Sequence, residues 1–219
     1  MPDHLLILLS VEQPLDEPLG NKLAAFKVMV NSRAKVDKVF ERGFNDQILT
    51  TTRNLTTIFD YLRENPYRLA MQMAYPDFFR HTAEIKIGGN RCSAYGNMQL
   101  LSNPFKSQVI VHRSDSNAEF ARKKAEWLHT AANGGVLVSP FISKREKEVR
   151  AEAIALGGRF IIIGNEPLND REKPTKHNFN LCSEGRLLFI SPIEPMEFNR
   201  MACRRMNLFA QLICFDQPR

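Results

Sequence analysis

The sequence predicts an α/β fold with a mainly parallel sheet in its second half. Short, continuous apolar runs such as "GVLVSP" and "RFIIIG" alternate with helical patterns between residues 106 and 219. Uninterrupted apolar runs of this length are typical of parallel strands that helices cover on both faces. The first half instead has two helical patterns and one hairpin signal. We therefore expect a separate α+β region before the parallel sheet.

The second half is predicted to run strand, helix, strand, helix, strand, strand, helix. Its predicted strands are "QVIVH", "GVLVSP", "RFIIIG" and "RLLFIS". Its predicted helices are "NAEFARKKAEWLHTAAN", "SKREKEVRAEAIALG" and "PMEFNRMACRRMNLFAQLIC". Ser143 and Glu146 have the spacing of a capping box, which indicates a helix start directly after "GVLVSP". The domain boundary is expected near Lys106.

The first half is predicted to open with a strand, "MPDHLLILLS", followed by a helix at "NKLAAFKVMVNSR". A short strand and turn are expected at "KVFERGFNDQIL". The next stretch, "TTTRNLTTIFDYLRENP", has apolar residues at helical spacing and is expected to end between Asn65 and Pro66. "EIKIGGNRCSAY" predicts a β-hairpin, because Gly88 and Gly89 can supply the positive φ angles of a tight turn.

Composition excludes several classes of protein. The chain is 43% hydrophobic, and no stretch approaches the roughly 18 consecutive apolar residues that span a bilayer. We expect a cytoplasmic protein that does not bind membranes. The four cysteines form no CxxC pair and have no histidine at zinc-finger spacing, so they predict neither a structural metal nor a disulfide framework.

The formal net charge of +6 lies mostly after residue 105. Basic runs occur at Arg122-Lys123-Lys124, Lys144-Arg145 and Arg204-Arg205. Such runs on helices are usually solvated faces. They would indicate a DNA-binding surface only if several of them converged.

Three stretches in order, "MPDHLLILL", "FERGFNDQIL" and "IFDYLRENPYRLA", resemble the single-tyrosine transposases of the HUH (histidine-hydrophobic-histidine) endonuclease superfamily. The REP-associated tyrosine transposase-like group is the most similar. In that family, a strand of the form Pro-(Asn/Asp)-His-x-His binds a divalent metal. A helix ending Tyr-(Ile/Leu)-x-x-Asn-Pro carries the nucleophile. The resemblance covers about the first third of the chain and implies a remnant of a ferredoxin-like HUH domain.

The resemblance assigns a role to three residues. His4 matches the first family histidine, Tyr61 the catalytic nucleophile, and Asn65 a residue that helps to hold magnesium or manganese. Leu6 stands where the second histidine should be, and its side chain has no lone pair to bind a metal. The family chemistry is attack of tyrosine on a DNA phosphodiester, with the metal neutralising the developing charge. The family also implies single-stranded or hairpin DNA as substrate and a homodimer.

Two features leave alternatives open. Helix geometry places Tyr61 roughly 120° from the centre of the apolar stripe, which suits a nucleophile but also a boundary tyrosine with its hydroxyl in water. In the family, the histidine strand lies inside a sheet whose earlier strands this sequence lacks. A misassigned start, a gene remnant and a partner segment that completes the sheet would each account for that difference.

In the second half, "NGGVLVSPFIS" is similar to a short stretch of the Rossmann-like domain of DNA-processing protein A. Because ligands bind at the carboxyl ends of parallel strands, we predict Ser139, Ser143, Asn165 and Glu166 as cofactor-binding residues by position. Neither GxGxxG nor GxxxxGK[ST] is present. A ligand-free α/β domain that serves dimerisation or scaffolding is an equal alternative.

The sequence thus predicts a truncated transposase-like region (1–80), a hairpin and connector (81–105) and a Rossmann-like α/β domain (106–219). The leading hypothesis is metal-assisted cleavage and strand transfer of single-stranded or hairpin DNA through a phosphotyrosine at Tyr61. The alternative is a non-catalytic protein that binds a nucleic acid or a nucleotide and retains a degenerate transposase segment.

Overall fold

The computed structural model describes residues 5–36, 38–41, 43–45, 48, 52–169, 174–195 and 197–215. The backbone divides into two compact units, Met1–Leu69 and Ala70–Arg219. The first unit holds helix α1 (Leu19–Ala34) and most of helix α2 (Thr52–Ala74). Both helices were predicted.

The two strands predicted in the first unit are absent from its described residues. Residues 5–10 belong to no strand, and neither do the described residues of "KVFERGFNDQIL". A strand is stable only when another strand pairs with its backbone N–H and C=O groups. No described segment pairs with either stretch, so apolar composition alone was misleading here.

Helix α2 extends beyond its predicted end. The helix continues through Pro66 to Ala74 instead of stopping at Asn65. Proline removes one backbone hydrogen bond from a helix, but the residues from Arg68 to Ala74 are mostly strong helix formers. Their high helix propensity compensates for the hydrogen bond that is lost at Pro66, so the helix continues beyond it.

The second unit is built on one six-stranded sheet with the spatial order β1-β2-β6-β5-β4-β3. Its strands are β1 (His81–Ile87), β2 (Asn90–Gly96), β3 (Lys106–Gln108), β4 (Val136–Ser139), β5 (Arg159–Ile163) and β6 (Leu187–Pro192). Strands β3 to β6 are parallel, and the β1-β2 hairpin joins β6 in antiparallel pairing. The predicted α/β fold is confirmed.

The hairpin turn is also confirmed. Gly88 and Gly89 have φ angles of 53° and 80°, which only glycine adopts without steric cost. Cys92 of β2 pairs with Pro192 of β6, and Gly96 pairs with Leu188. The hairpin therefore extends the parallel sheet at its β6 edge.

Helices cover both faces of the sheet. They are α3 (Asn117–Ala132), α4 (Lys144–Ala155), α5 (Lys176–Ser183) and α6 (Arg200–Phe215). Because β3 to β6 are neighbours in chain order, right-handed crossovers bring α3, α4 and α5 to one face. Helix α6 covers the other face, where Met206 and Ile213 pack with Val138 and Ile161.

Helix α5 was missed at the sequence level. It has eight residues, "KHNFNLCS", and its polar composition resembles a loop. A parallel connection between β5 and β6 nevertheless requires a crossover, which is usually helical. Phe179 and Cys182 provide its buried contacts. The predicted start of α6 was also too early, since the Asn199 side chain accepts hydrogen bonds from Met201 and Ala202 and caps the helix there.

Candidate functional site

The carboxyl edge of the parallel sheet is organised around a buried carboxylate. Glu146 is only 4% exposed. Its Oε2 accepts hydrogen bonds from the backbone N–H groups of Ile142 and Ser143, at 3.0 and 2.9 Å. Its Oε1 accepts a longer bond, 3.4 Å, from Val111 after β3. One side chain thus joins the segment after β3 to the loop between β4 and α4.

Arg145 joins the same loop to the start of α3. Its guanidinium donates to the carbonyl oxygen of Asp115 at 2.9 Å and to Oδ1 of Asn117 at 2.7 Å. It also lies over the Phe120 ring, 4.9 Å from the centroid. The amino-terminal ends of α3 and α4 therefore lie side by side. Both groups that accept hydrogen bonds from the Arg145 guanidinium are neutral.

Three more cations belong to this edge. Arg113 lies in the exposed segment after β3, and Lys144 and Lys147 lie in the exposed first turn of α4. The side chains of these three residues make no hydrogen bond and no ion pair with a described residue. We call Arg113, Lys144, Arg145 and Lys147 the basic edge.

The acidic residues around the basic edge are already engaged. Asp115 forms an ion pair with Lys123 at 2.9 Å, which holds the pKa of the Asp115 carboxyl below its usual range. Glu119 caps α3 through a capping box with Ser116, and its hydrogen bonds to Ser116 lower its pKa. Glu148 pairs with Lys124 at 2.6 Å. The side chains of the basic edge therefore pair with no carboxylate among the described residues, and the buried Glu146 carboxylate, bonded only to backbone N–H groups, offsets one of their four positive charges.

The first basic run noted in the sequence behaves differently. Arg122 pairs with Glu126 at 2.6 Å, and Lys123 and Lys124 have the carboxylate partners named above. The run is neutralised on the helix surface and does not form a binding patch. Arg113 and Lys147 were not predicted as site residues. Arg113 follows a predicted strand and Lys147 lies in the first turn of a predicted helix, and these two positions could have indicated an anion-binding edge.

Charge is divided unequally between the two units. Residues 1–69 carry nine Lys and Arg and nine Asp and Glu, so their formal net charge is zero. The whole formal excess of +6 belongs to residues 70–219. An anionic partner would therefore be attracted to the α/β unit.

The four residues predicted to bind a cofactor lie at the same edge. Ser139 ends β4 and is fully buried, and its Oγ accepts the N–H of Phe141 at 3.1 Å. Ser143 caps α4, with its Oγ 3.2 Å from the N–H of Glu146. Both hydroxyl groups shape the loop between β4 and α4, in which Phe141 has a φ of 49°.

Asn165 and Glu166 occupy a different part of this edge. They follow β5 after Gly164, and Asn165 is half-buried while Glu166 is exposed. The chain after β5 leads to α5 and the chain after β6 leads to α6, on opposite faces of the sheet. Open α/β sheets bind ligands in the crevice that such a divergence creates. Of the four predicted residues, Asn165 and Glu166 follow a strand that borders this crevice.

The residues predicted from the transposase resemblance lie in the first unit. Tyr61 is half-buried on α2, and Asn65 lies one helical turn later, 7% exposed, with no hydrogen-bond partner for Nδ2 among the described residues. His4 lies outside the described residues. Nearby, Asp60 pairs with Arg63 and Glu64 with Arg68. The described part of the chain contains no group of three or more His, Cys, Asp or Glu placed to hold a metal.

Comparison with known proteins does not identify the family. No protein-family model matches the chain, and no curated protein matches it. Among solved structures, DNA processing protein A from Helicobacter pylori, described with a unique single-stranded DNA binding mode, has a TM-score of 0.43 and 14% sequence identity. The alignment covers 63% of this chain and 67% of that one. Similarity at this level identifies neither the family nor the ligand of this chain, and no match supports the transposase family.

No helix among the described residues is long and apolar enough to cross a membrane.

Proposed function

We propose that this chain binds nucleic acid through the basic edge, and that single-stranded or hairpin DNA is the form it binds. The supporting observation is that four cations, none paired with a described carboxylate, lie at or shortly before two adjacent helix starts. Phosphate groups of a DNA backbone would pair with these cations and release counterions on binding. The two helix amino termini add favourable partial charges at the same place.

The proposal predicts a measurable salt dependence. The triple variant Arg113→Ala, Lys144→Ala, Lys147→Ala should weaken binding to a labelled single-stranded DNA by at least about tenfold, because it removes three phosphate contacts. The slope of log K against log salt should become shallower by about 2, since each contact with a single strand contributes about 0.7. Arg145 is left unchanged because it also ties the two helices together.

A matched control separates the basic edge from overall charge. Lys38, Arg91 and Arg122 are exposed and each pairs with a carboxylate. Replacing these three with alanine removes the same formal charge. We expect this control to bind DNA almost as tightly as the unchanged protein, with the same salt slope. Equal weakening by both triple variants would refute the assignment to the basic edge.

A second candidate function is DNA cleavage through Tyr61. It is favoured by the position of Asn65, one turn from Tyr61, with a buried amide nitrogen that has no described partner. In this reaction the Tyr61 oxygen bonds to phosphorus while the bond to the leaving sugar oxygen breaks and that oxygen takes a proton. A divalent metal, held by His4 and Asn65, would supply charge neutralisation at the phosphate.

The two candidates give different results with one hairpin-bearing single-stranded DNA. With manganese present, cleavage should leave a protein–DNA adduct that survives denaturing electrophoresis and is absent from Tyr61→Phe. Tyr67→Phe is the control, because Tyr67 lies on the same helix and is exposed. A shift on a native gel without an adduct would support binding and contradict cleavage. An adduct that persists in Tyr61→Phe would show that another residue is the nucleophile.

A further inference from the structure

An exposed apolar segment lies before α1 among the residues that the structure describes. In residues 5–11, the large side chains of Leu5, Leu6, Ile7, Leu9 and Val11 are 43% to 55% exposed. None of these residues belongs to a strand or helix, and the segment contains no charged residue. Five large apolar side chains with this much exposure in one short segment form a surface that is typical of a protein–protein contact.

The sequence of this segment is symmetric. "LLILL" reads the same in both directions, with Ile7 at its centre. Two antiparallel copies of a strand are related by a two-fold axis, so the same residues must be able to face each other. Centred on Ile7, this segment places leucine opposite leucine and isoleucine opposite isoleucine.

The neighbouring surface is compatible with this arrangement. Ile7, Leu9 and Val11 line an apolar groove of about 340 Å³ whose other wall includes Leu23 and Phe26 of α1. Directly opposed residues of paired strands project to the same face. A register centred on Ile7 therefore pairs odd-numbered residues with odd-numbered residues and brings the partner's Leu5, Ile7 and Leu9 to the face that carries the groove.

Charge favours a second copy over a charged partner. The unit that carries this segment has a formal net charge of zero. Two such units approach without net repulsion, whereas the α/β unit carries all of the positive excess. An anionic partner would form no ion pair with this segment, because it has no cation between Leu5 and Val11.

We propose that residues 5–9 pair with residues 5–9 of a second copy as an antiparallel two-stranded ribbon whose two-fold axis passes through Ile7. Leu5 then lies opposite Leu9 of the other copy, Leu6 opposite Leu8, and Ile7 opposite its own counterpart. The ribbon satisfies backbone groups that have no strand partner in one copy and covers the exposed leucines. This assembly does not rest on DNA binding, because the basic edge belongs to the other unit.

A first experiment measures the oligomeric state of the full chain by sedimentation velocity over a range of concentrations. The unchanged protein should be dimeric, and Ile7→Lys should weaken the dimer by at least about tenfold, because it places two ammonium groups opposite each other at the axis. Val28→Lys is the control, since Val28 is 68% exposed on α1 and lies outside the segment. A protein that stays monomeric at all concentrations would overturn the proposal.

A second experiment tests the register by oxidative cross-linking. Opposed Cα atoms lie about 4.5–5.5 Å apart, which suits a disulfide. A mixture of Leu5→Cys and Leu9→Cys proteins should form a reducible dimer on a non-reducing gel, and Ile7→Cys should do so alone. Leu5→Cys alone should not, because its two copies are displaced by four residues, about 13 Å.

The unchanged protein under the same oxidant controls for its four native cysteines. Cross-linking of Leu5→Cys alone as efficiently as the mixture would overturn the register. Absence of any cross-link in the mixture and in Ile7→Cys would overturn the pairing itself. Since none of these variants changes Arg113, Lys144 or Lys147, DNA binding can succeed or fail independently.

Discussion

Ser143 and Glu146 cap each other: the Ser143 hydroxyl accepts the N–H of Glu146 at 3.2 Å, while the Glu146 carboxylate accepts the N–H of Ser143 at 2.9 Å. The carboxylate also receives the N–H groups of Ile142 and Val111. A capping box ordinarily fixes one helix end. This one additionally fixes the segment that carries Arg113, so the geometry of the basic edge depends on a buried acid.

Replacing Glu146 should lower the unfolding free energy far more than replacing its capping partner Ser143. Glu146→Ala leaves several buried N–H groups without an acceptor, and we expect a loss of about 3 kcal/mol in unfolding free energy. Ser143→Ala should lose about 1 kcal/mol. Urea denaturation measures both, and Ser116→Ala on α3 is the control for an ordinary cap. Equal losses for Glu146→Ala and Ser116→Ala would contradict the role assigned to Glu146.

Helix α6 should contribute to stability through one face. Met206 is 3% exposed in the core, whereas Leu208, two residues later, is 56% exposed. Met206→Ala should reduce the unfolding free energy by about 3 kcal/mol, because it leaves a cavity between α6 and the sheet. Leu208→Ala should change it by less than about 0.5 kcal/mol. A reversed order of the two losses would mean that α6 presents a different face to the sheet.

Sequence reasoning was most successful where burial decides structure. "GVLVSP" and "RFIIIG" became β4 and β5 because covered parallel strands need no polar alternation. It failed at residues 5–10, where the same apolar signal has no strand to pair with. It also failed at α5, whose eight residues carry too few apolar positions to reveal a period.

Alkaline pH should weaken the fold through buried thiols. Burial raises the pKa of Cys92 and Cys214 to about 11 and that of Cys182 to about 12. Unfolded thiols titrate near 8.5, so above that pH the unfolded chain loses protons that the folded chain keeps. Stability is therefore full below about pH 8.5 and declines as pH rises towards the folded pKa values.

The contribution of Cys182 can be isolated. The unfolding free energy, measured by urea denaturation from pH 7 to pH 10.5, should decline less steeply in Cys182→Ala, by about 1.4 kcal/mol per pH unit above pH 9. Ser183→Ala is the control, because it alters a neighbouring side chain without removing a thiol. An unchanged pH slope in Cys182→Ala would show that this thiol is not protected from ionisation.

One glycine in the sheet should tolerate no side chain. Gly96 at the end of β2 has a φ of 115°, and an added Cβ would lie 2.4 Å from the carbonyl oxygen of Leu187. Gly96→Ala should therefore lower the unfolding free energy by about 3 kcal/mol, because the backbone of Gly96 or Leu187 must move to admit the methyl group. Gly157 has a φ of 79° with nothing within 4 Å of a Cβ, so Gly157→Ala should cost only about 1 kcal/mol. Chemical denaturation of both variants checks this, and similar losses would contradict the contact at Gly96.

The candidate site was only partly predictable. The carboxyl edge of the sheet could be located from strand ends, and Ser139, Ser143, Asn165 and Glu166 do lie there. The sequence did not indicate which cations lack a carboxylate partner among the described residues. That property depends on contacts across the fold, such as Lys124 with Glu148 and Arg145 with the carbonyl of Asp115.

The pairing of β2 with β6 has a consequence for how the chain is made. Strand β2 leaves the ribosome early, but its partner β6 emerges nearly a hundred residues later, and α6, which covers one face of the sheet, follows only after that. Contacts between parts so distant in the chain form slowly. During synthesis, Val136, Val138 and Ile161 stay exposed until α6 has emerged, and this face is the one that a chaperone would need to shield until then.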